Sequence, residues 1–255
     1  MINILIHGYT GAMGRVVENL IKQDKSLNIC ERINSQVCIF DSKASPDVII
    51  DFSTAKVIPN LLNYAKNKQV PVVLCTTGLD LHTENMVLEV SKSAPIFKSA
   101  NMSLGVNLIS SVLKEITPIL QSSGFDIEII EKHHNKKIDS PSGTALLLAN
   151  SINEGLDNSL EHVYDRTTLC ERRKKTDIGV FSVRGGTIVG EHEIIFAGNN
   201  EVIEIKHSAQ SKEIFAAGAI KAAKFIVNKK SGIYDMQDLL TELGENYAKK
   251  DCGNK

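Results

Sequence analysis

The chain opens on a short apolar run of β-forming residues, Met1 to His7, followed by a glycine-rich turn and by apolar positions three to four apart at Val16, Val17, Leu20 and Ile21. That change of period predicts a strand, a turn and a helix. A second strand is expected to end near Cys30, and Val48-Ile49-Ile50-Asp51-Phe52 forms a third. A helix follows through Leu61, Leu62 and Ala65, and Val70 to Leu74 is a further apolar strand. Strands alternating with helices in this way predict an α/β fold with a Rossmann-like, doubly wound parallel sheet.

After Asn101 the rhythm changes. A helix is expected from about Leu104 to Leu120, then an alternating strand from Asp126 to Lys132, then a helix from Ala145 to Ile152 and a polar, charge-rich stretch. Phe181 to Arg184, Thr187 to Phe196 and Glu201 to His207 read as strands, with turns at Gly185-Gly186 and Gly198-Asn199. They predict a second, α+β domain built on a mixed, partly antiparallel sheet. The last strong helix, from about Ile214 to Val227, carries Ala216, Ala217, Ala219, Ala222 and Ala223, small residues suited to close packing back onto the first lobe. The expected division is therefore a dinucleotide-binding domain of residues 1–102 and 213–255 and a second domain of residues 103–212. Beyond Asn246 the tail has nothing to bury and is expected to fray.

Composition narrows the class without choosing a chemistry. Hydrophobic residues at 42% and charged residues at 23% exclude a disordered or fibrous chain. A formal net charge of -1 gives no general pull toward nucleic acid, so an anionic ligand must be gripped locally. No apolar run approaches the roughly 18 to 20 residues that span a bilayer, and a cytoplasmic protein is expected. The cysteines Cys30, Cys38, Cys75, Cys170 and Cys252 are scattered, with no C-x-x-C pair, and read as reduced structural thiols.

Two stretches carry candidate chemistry. Gly8-Tyr9-Thr10-Gly11-Ala12-Met13-Gly14 spaces three glycines between the first strand and the first helix. Such spacing allows a tight turn, a close backbone approach to a pyrophosphate and close helix packing, with free N–H groups at the helix start. Glu31, near the end of the next strand, can accept from a ribose hydroxyl, and Arg32 can pair with a 2′-phosphate, so either NADH or NADPH is expected. Solvated surface groups are the plainer alternative for either charge. Cys75-Thr76-Thr77 and Ser99-Ala100-Asn101-Met102 lie at the ends of later strands, where ligands bind in open sheets, although ordinary turns have the same spacing.

The second stretch runs from Glu128 to Ala145 as strand, basic loop and helix start. His133, His134, Lys136 and Lys137 converge on the backbone N–H groups of Gly143 and Thr144, a set of donors suited to a compact dianion. A solvated charge run is the plainer alternative. A metal site lacks a third ligand, because adjacent histidines on an extended backbone face opposite ways. A serine hydrolase lacks its G-x-S-x-G turn.

Read together, these segments resemble the dihydrodipicolinate reductase family. The resemblance rests on Gly8 to Arg15, Asp51-Phe52-Ser53, Thr76-Thr77-Gly78, Asn101 to Asn107, Glu128 to Ala145, Arg184 to His192 and Gly232 to Met236. It implies nicotinamide-dependent reduction of a small cyclic imine dicarboxylate in the lysine and diaminopimelate pathway. His133 is implied as the proton donor and Lys137 as proton donor and anchor, with His134, Gly143 and Thr144 holding the carboxylates. A homotetramer built from the strands between Thr187 and His207 is also implied, with His192 and His207 structural and no nucleic-acid or membrane partner. The chain departs from the family pattern at Cys75, where a glycine is usual, at Ala55 for a common proline, and at Met102 for a frequent aromatic. The alternatives are another two-lobed Rossmann dehydrogenase and a nucleotide sensor without catalysis.

Overall fold

A computed structural model describes residues 1–167 and 169–252. They form two compact units, Met1–Leu104 together with the residues from Glu213 on, and Gly105–Lys212. The first unit begins with β1 (Ile2–His7), α1 (Ala12–Gln23), β2 (Leu27–Ile33), β3 (Val48–Asp51), α2 (Ile58–Lys68), β4 (Val72–Leu74), α3 (Leu81–Ser91) and β5 (Pro95–Lys98). The second holds nearly all of α4 (Leu104–Ser122), then β6 (Asp126–His133), α5 (Gly143–Glu154), β7 (Glu161–Val163), β8 (Asp177–Arg184), β9 (Gly190–Ala197) and β10 (Val202–Ala209). The chain returns to the first unit with α6 (Glu213–Ile226), β11 (Gly232–Tyr234) and α7 (Met236–Cys252).

The first sheet is wholly parallel, in the order β11-β5-β4-β3-β1-β2. Helices cover both faces, which is why β3 is buried along its whole length. On one face Ile4, Ile6 and Ile50 meet Val17 and Ile21 of α1 and the alanines of α6. On the other, Leu5 and Ile49 meet Leu61, Leu62 and Ala65 of α2 and Val87 and Val90 of α3. The order of strands reverses at β1, whose neighbours are β2 and β3, and a ligand crevice opens beyond the carboxyl ends of strands at such a point.

The second strand does not end at Cys30. The pairing jumps from Ile4 with Ile29 to Leu5 with Glu31, so Cys30 is an unpaired bulge and the strand resumes to Ile33. The expected fraying after Asn246 is also replaced by helix, since α7, anchored by buried Met236 and Leu239, runs to Cys252. Residues 253–255, part of that expectation, lie outside the described residues.

The second sheet is mixed, in the order β10-β9-β6-β8-β7. β6 runs parallel to β8 and antiparallel to β9. Ile127, Ile129, Glu131 and His133 of β6 all point to its buried face, beside α4 and α5, because alternate side chains share a side. No described helix is long and apolar enough to cross a membrane.

Candidate functional site

The end of β2 is tied to the glycine turn, since the carbonyl of Ile33 accepts the N–H groups of both Gly8 (2.8 Å) and Tyr9 (3.3 Å). Gly8 has φ +86°, and a Cβ there would stand 2.5 Å from the carbonyl oxygen of Phe52. A Cβ on Gly14 would meet the oxygen of Gly8 at 2.4 Å. The chain itself requires those two glycines. Gly11 is different, with its nearest neighbour 3.3 Å away, and it stands on an exposed turn. No side chain caps α1 at Gly11, so the first-turn N–H groups, including those of Ala12 and Met13, are available to an anion. Gly8, Thr10 and Gly11 face Asn34, Ser35, Ser53 and Thr54 across a crevice of about 200 Å³.

Beneath this crevice Asp51, fully buried, gathers three strand ends. Its carboxylate accepts from His7 Nδ1 (2.7 Å), Ser53 Oγ (2.6 Å) and Thr76 Oγ1 (2.6 Å). Cys75, beside Thr76, is half-buried; burial, aided by the charge of Asp51, keeps its thiol well above the usual value and therefore protonated. Thr77, Ser99 and Ala100 line a second cavity, of about 440 Å³, whereas Met102 is in the core and Asn101 is buried. Glu31 and Arg32 leave the bulge on opposite faces of the sheet. The hydroxyl of Ser42 donates to Glu31, and Arg32 Nε donates to Glu18 of α1 at 3.0 Å.

In the second unit the buried side of β6 ends in an acid and an imidazole. Glu131 is fully buried, and its Oε2 lies 2.6 Å from His133 Nδ1. Parallel pairing sets Ser182 opposite Glu131 and Arg184 opposite His133, which brings further donors to the same carboxylate. Arg184 donates through Nη1 and Nη2 (2.7 Å each), Ser182 Oγ at 2.8 Å and the Ser142 N–H at 3.0 Å. Burial alone would raise the Glu131 pKa, but the hydrogen bonds from Arg184, His133, Ser182 and Ser142 outweigh it and bring it down to about 2. The other ring nitrogen, Nε2 of His133, points at Gly190, where a Cβ would come within 3.0 Å.

Ser142 links this cluster to α5. As the N-cap, its Oγ accepts from the Ala145 N–H (3.2 Å) and is hydrogen-bonded with Nε2 of buried His192 (3.0 Å). Burial, then the charge of His133, lower the His192 pKa to about 4, and Lys137 adds to the same effect. His192 is thus neutral near pH 7, and its ring lies edge-on to that of His133 with centroids 5.2 Å apart. Lys137 pairs with Asp139 at 2.8 Å, and Nδ1 of His134 is buried with no partner among the described residues. Gly143 is exposed at the start of α5, with open space where a side chain would stand, and Thr144 follows in the same turn. Among the described residues no group of three or more His, Cys, Asp or Glu is placed to hold a metal ion.

The family model described as dihydrodipicolinate reductase, N-terminus, matches residues 2–102, and the one described as its C-terminus matches residues 105–240. The chain belongs to the dihydrodipicolinate reductase family. It is 49% identical over 249 residues to the 4-hydroxy-tetrahydrodipicolinate reductase of Caldanaerobacter subterraneus, covering 94% of this chain and 98% of that protein. The reductase of the same name from Brachyspira hyodysenteriae is 46% identical, covering 93% of this chain and 99% of that one. Among solved structures, the dipicolinate-bound dihydrodipicolinate reductase from Paenisporosarcina sp. superimposes with a TM-score of 0.71 at 20% identity, covering 92% of this chain and 97% of that one, which speaks for the fold. The chain is accordingly an oxidoreductase.

In this dihydrodipicolinate reductase family member the structure gathers His133, Gly143 and Thr144 around one strand end and one helix start, with Lys137 and His134 on the loop between them. Sequence reasoning missed Glu131, Ser142 and Arg184 as members of the cluster. Glu131 had a signal, an acid two residues before a histidine on an alternating strand. Arg184 had none, because only the pairing of β6 with β8 brings it there.

Proposed function

We propose that the chain reduces 4-hydroxy-tetrahydrodipicolinate to tetrahydrodipicolinate, with one hydride and one proton entering and one water leaving. The observation that carries this reading is a fully buried Glu131 that orients His133 beside the start of α5.

The cofactor fits the first unit, because Gly11 is open to the crevice and α1 begins uncapped. NADH or NADPH held there supplies the hydride. Gly8, Tyr9, Thr10, Gly11, Ala12 and Met13 receive the pyrophosphate, and Glu31 and Arg32, near the end of β2, are the charged groups on which the choice between a ribose hydroxyl and a 2′-phosphate depends. Cys75, Thr76, Thr77, Ser99, Ala100, Asn101 and Met102 serve the nicotinamide. Thr76 and Met102 do so through backbone, since the hydroxyl of one is taken by Asp51 and the side chain of the other is in the core.

In the second unit, Glu131 accepts a hydrogen bond from Nδ1–H, which fixes the tautomer and direction of the His133 ring and leaves Nε2 as the nitrogen that takes up a proton from solvent and passes it to the substrate. With a pKa of about 2, Glu131 stays anionic and does not compete for that proton. Lys137 serves as proton donor and electrostatic anchor, and His134 and the first-turn N–H groups of α5 at Gly143 and Thr144 hold the two carboxylates. The chain works in the cytoplasm as a homotetramer on this small dicarboxylate, with no nucleic-acid or membrane partner. Exposed Val183 and Val202 on the second sheet support a subunit contact there.

The test couples a purified synthase, which forms the substrate from pyruvate and aspartate semialdehyde, to this protein and follows NADH and NADPH oxidation in parallel. His133→Ala and Lys137→Ala each lower kcat by about 10²- to 10⁴-fold with cofactor binding kept. Turnover like that of the unaltered protein in both variants overturns the reading.

A further inference from the structure

NADH and NADPH differ only at the adenine ribose, where one carries a 2′-hydroxyl and the other a 2′-phosphate, so discrimination must come from charges near the end of β2. Two charged residues stand there, and both are engaged. The bulge at Cys30 sets Glu31 level with Leu5, on the side of α2 and α3, where the Ser42 hydroxyl donates to it. Arg32 is level with Ile6, on the side of α1.

The guanidinium of Arg32 does not reach forward. Its Nε and Nη2 both lie 3.0 Å from Oε1 of Glu18, on the middle of α1, and Lys22 Nζ meets the same oxygen at 2.8 Å. Arg32 consequently lines a groove with Ile21, Lys22, Leu27 and Asn28, on the flank of α1. The crevice at the glycine turn is lined from β2 by Asn34 and Ser35 instead. Neither Asn34 nor Ser35 carries a positive charge.

We propose that Glu18 is a specificity-determining residue: it keeps Arg32 on the flank of α1 and so favours NADH over NADPH. This rests on the reading that the dinucleotide binds at the turn from Gly8 to Gly14. To pair with a 2′-phosphate, Arg32 must leave Glu18, or else the phosphate must approach with a carboxylate still beside its partner. Either route weakens NADPH and leaves NADH untouched, since a 2′-hydroxyl makes no such demand. A residue that merely braced α1 against β2 would affect both cofactors alike.

Titrations of the full-length protein that follow nicotinamide fluorescence give dissociation constants for NADH and NADPH. Glu18→Gln removes the charge and keeps the size. It is expected to tighten NADPH by about three- to tenfold, the scale of one partly exposed ion pair, while NADH shifts by less than about twofold. Arg32→Ala alone and Glu18→Gln with Arg32→Ala should bind NADPH equally, because the gain requires the released guanidinium. The inference is overturned if Glu18→Gln moves both cofactors together, if it moves neither, or if the unaltered protein prefers NADPH. Gly11→Val separates the underlying reading: it should weaken both cofactors strongly, and unchanged binding in that variant removes the site itself, and the inference with it.

Discussion

Glu131 and His133 stand two residues apart on β6 and meet through a 2.6 Å hydrogen bond between Oε2 and Nδ1, although neither is a neighbour of the other in the chain. Strand alternation makes the contact possible, and three further groups fix it. Arg184, Ser182 and the Ser142 N–H bring their donors to the same carboxylate from β8 and from the start of α5. His133 and the start of α5 are thereby referred to one buried anion.

Replacing that anion should affect stability and turnover together. Glu131→Ala leaves Arg184 with an uncompensated charge, and we expect a loss of about 3–5 kcal/mol in urea unfolding. Glu131→Gln keeps the volume and is expected to fold, with lower kcat and cofactor dissociation constants unchanged. The folded pKa of Glu131 is lowered from 4.5 to about 2, so its contribution to stability is complete above about pH 4.5 and is lost as pH falls through about 2. Acid unfolding of Glu131→Gln should lack that component; an identical acid limb in both proteins counts against the assignment.

His192 produces a pH dependence of its own. Its pKa is lowered from 6.5 to about 4 in the folded protein, so between those values the unfolded chain binds the extra proton and the native chain does not. Stability therefore falls as pH drops from about 6.5 to about 4. Unfolding free energies at several pH values should show a shallower slope in His192→Gln over this window than in the unaltered protein, whatever the absolute loss.

Ser142→Ala removes the acceptor for the Ala145 N–H and the hydrogen-bond partner of His192 Nε2. Loss of an N-cap costs about 0.5–2 kcal/mol. On the proposal that the start of α5 holds the substrate carboxylates, KM for the dicarboxylate should rise more than kcat falls. Equal KM in the two proteins, with the stability loss present, would show that the cap is structural only.

Gly14→Ala drives a Cβ to 2.4 Å from the oxygen of Gly8 and 2.6 Å from Cα of Tyr9, both backbone atoms that cannot step aside. Overpacking of this kind costs about 1–3 kcal/mol. Weaker binding of both cofactors is expected in calorimetric titration, whereas Gly11→Ala, with its nearest contact at 3.3 Å, should fold normally.

What was legible in the sequence was local. The apolar runs of β1 and β3, the glycine turn and the basic loop each declare themselves within a few residues, and so the class of the fold follows from their order. What was not legible depends on pairing over distance or on very short elements. Nothing in the chain around Arg184 points to Glu131, because their meeting requires β6 and β8 to lie parallel in one register. The bulge at Cys30 looks like a strand end, since an unpaired residue interrupts the alternation. β7 and β11 have three residues each, too few for a period to show. α3 hides because Leu81 and Leu88 are exposed and blur its apolar face, although Asp80 marks its start by accepting the Thr83 N–H.

Asp51 has a consequence for how a nucleotide is received. By taking hydrogen bonds from His7, Ser53 and Thr76, it fastens the ends of β1, β3 and β4 into one floor before any ligand arrives. The ordering entropy of that floor is spent during folding rather than during association. A dinucleotide received at the proposed site would land on a bed already cast, and a disturbance under any one of those strands should reach the other two.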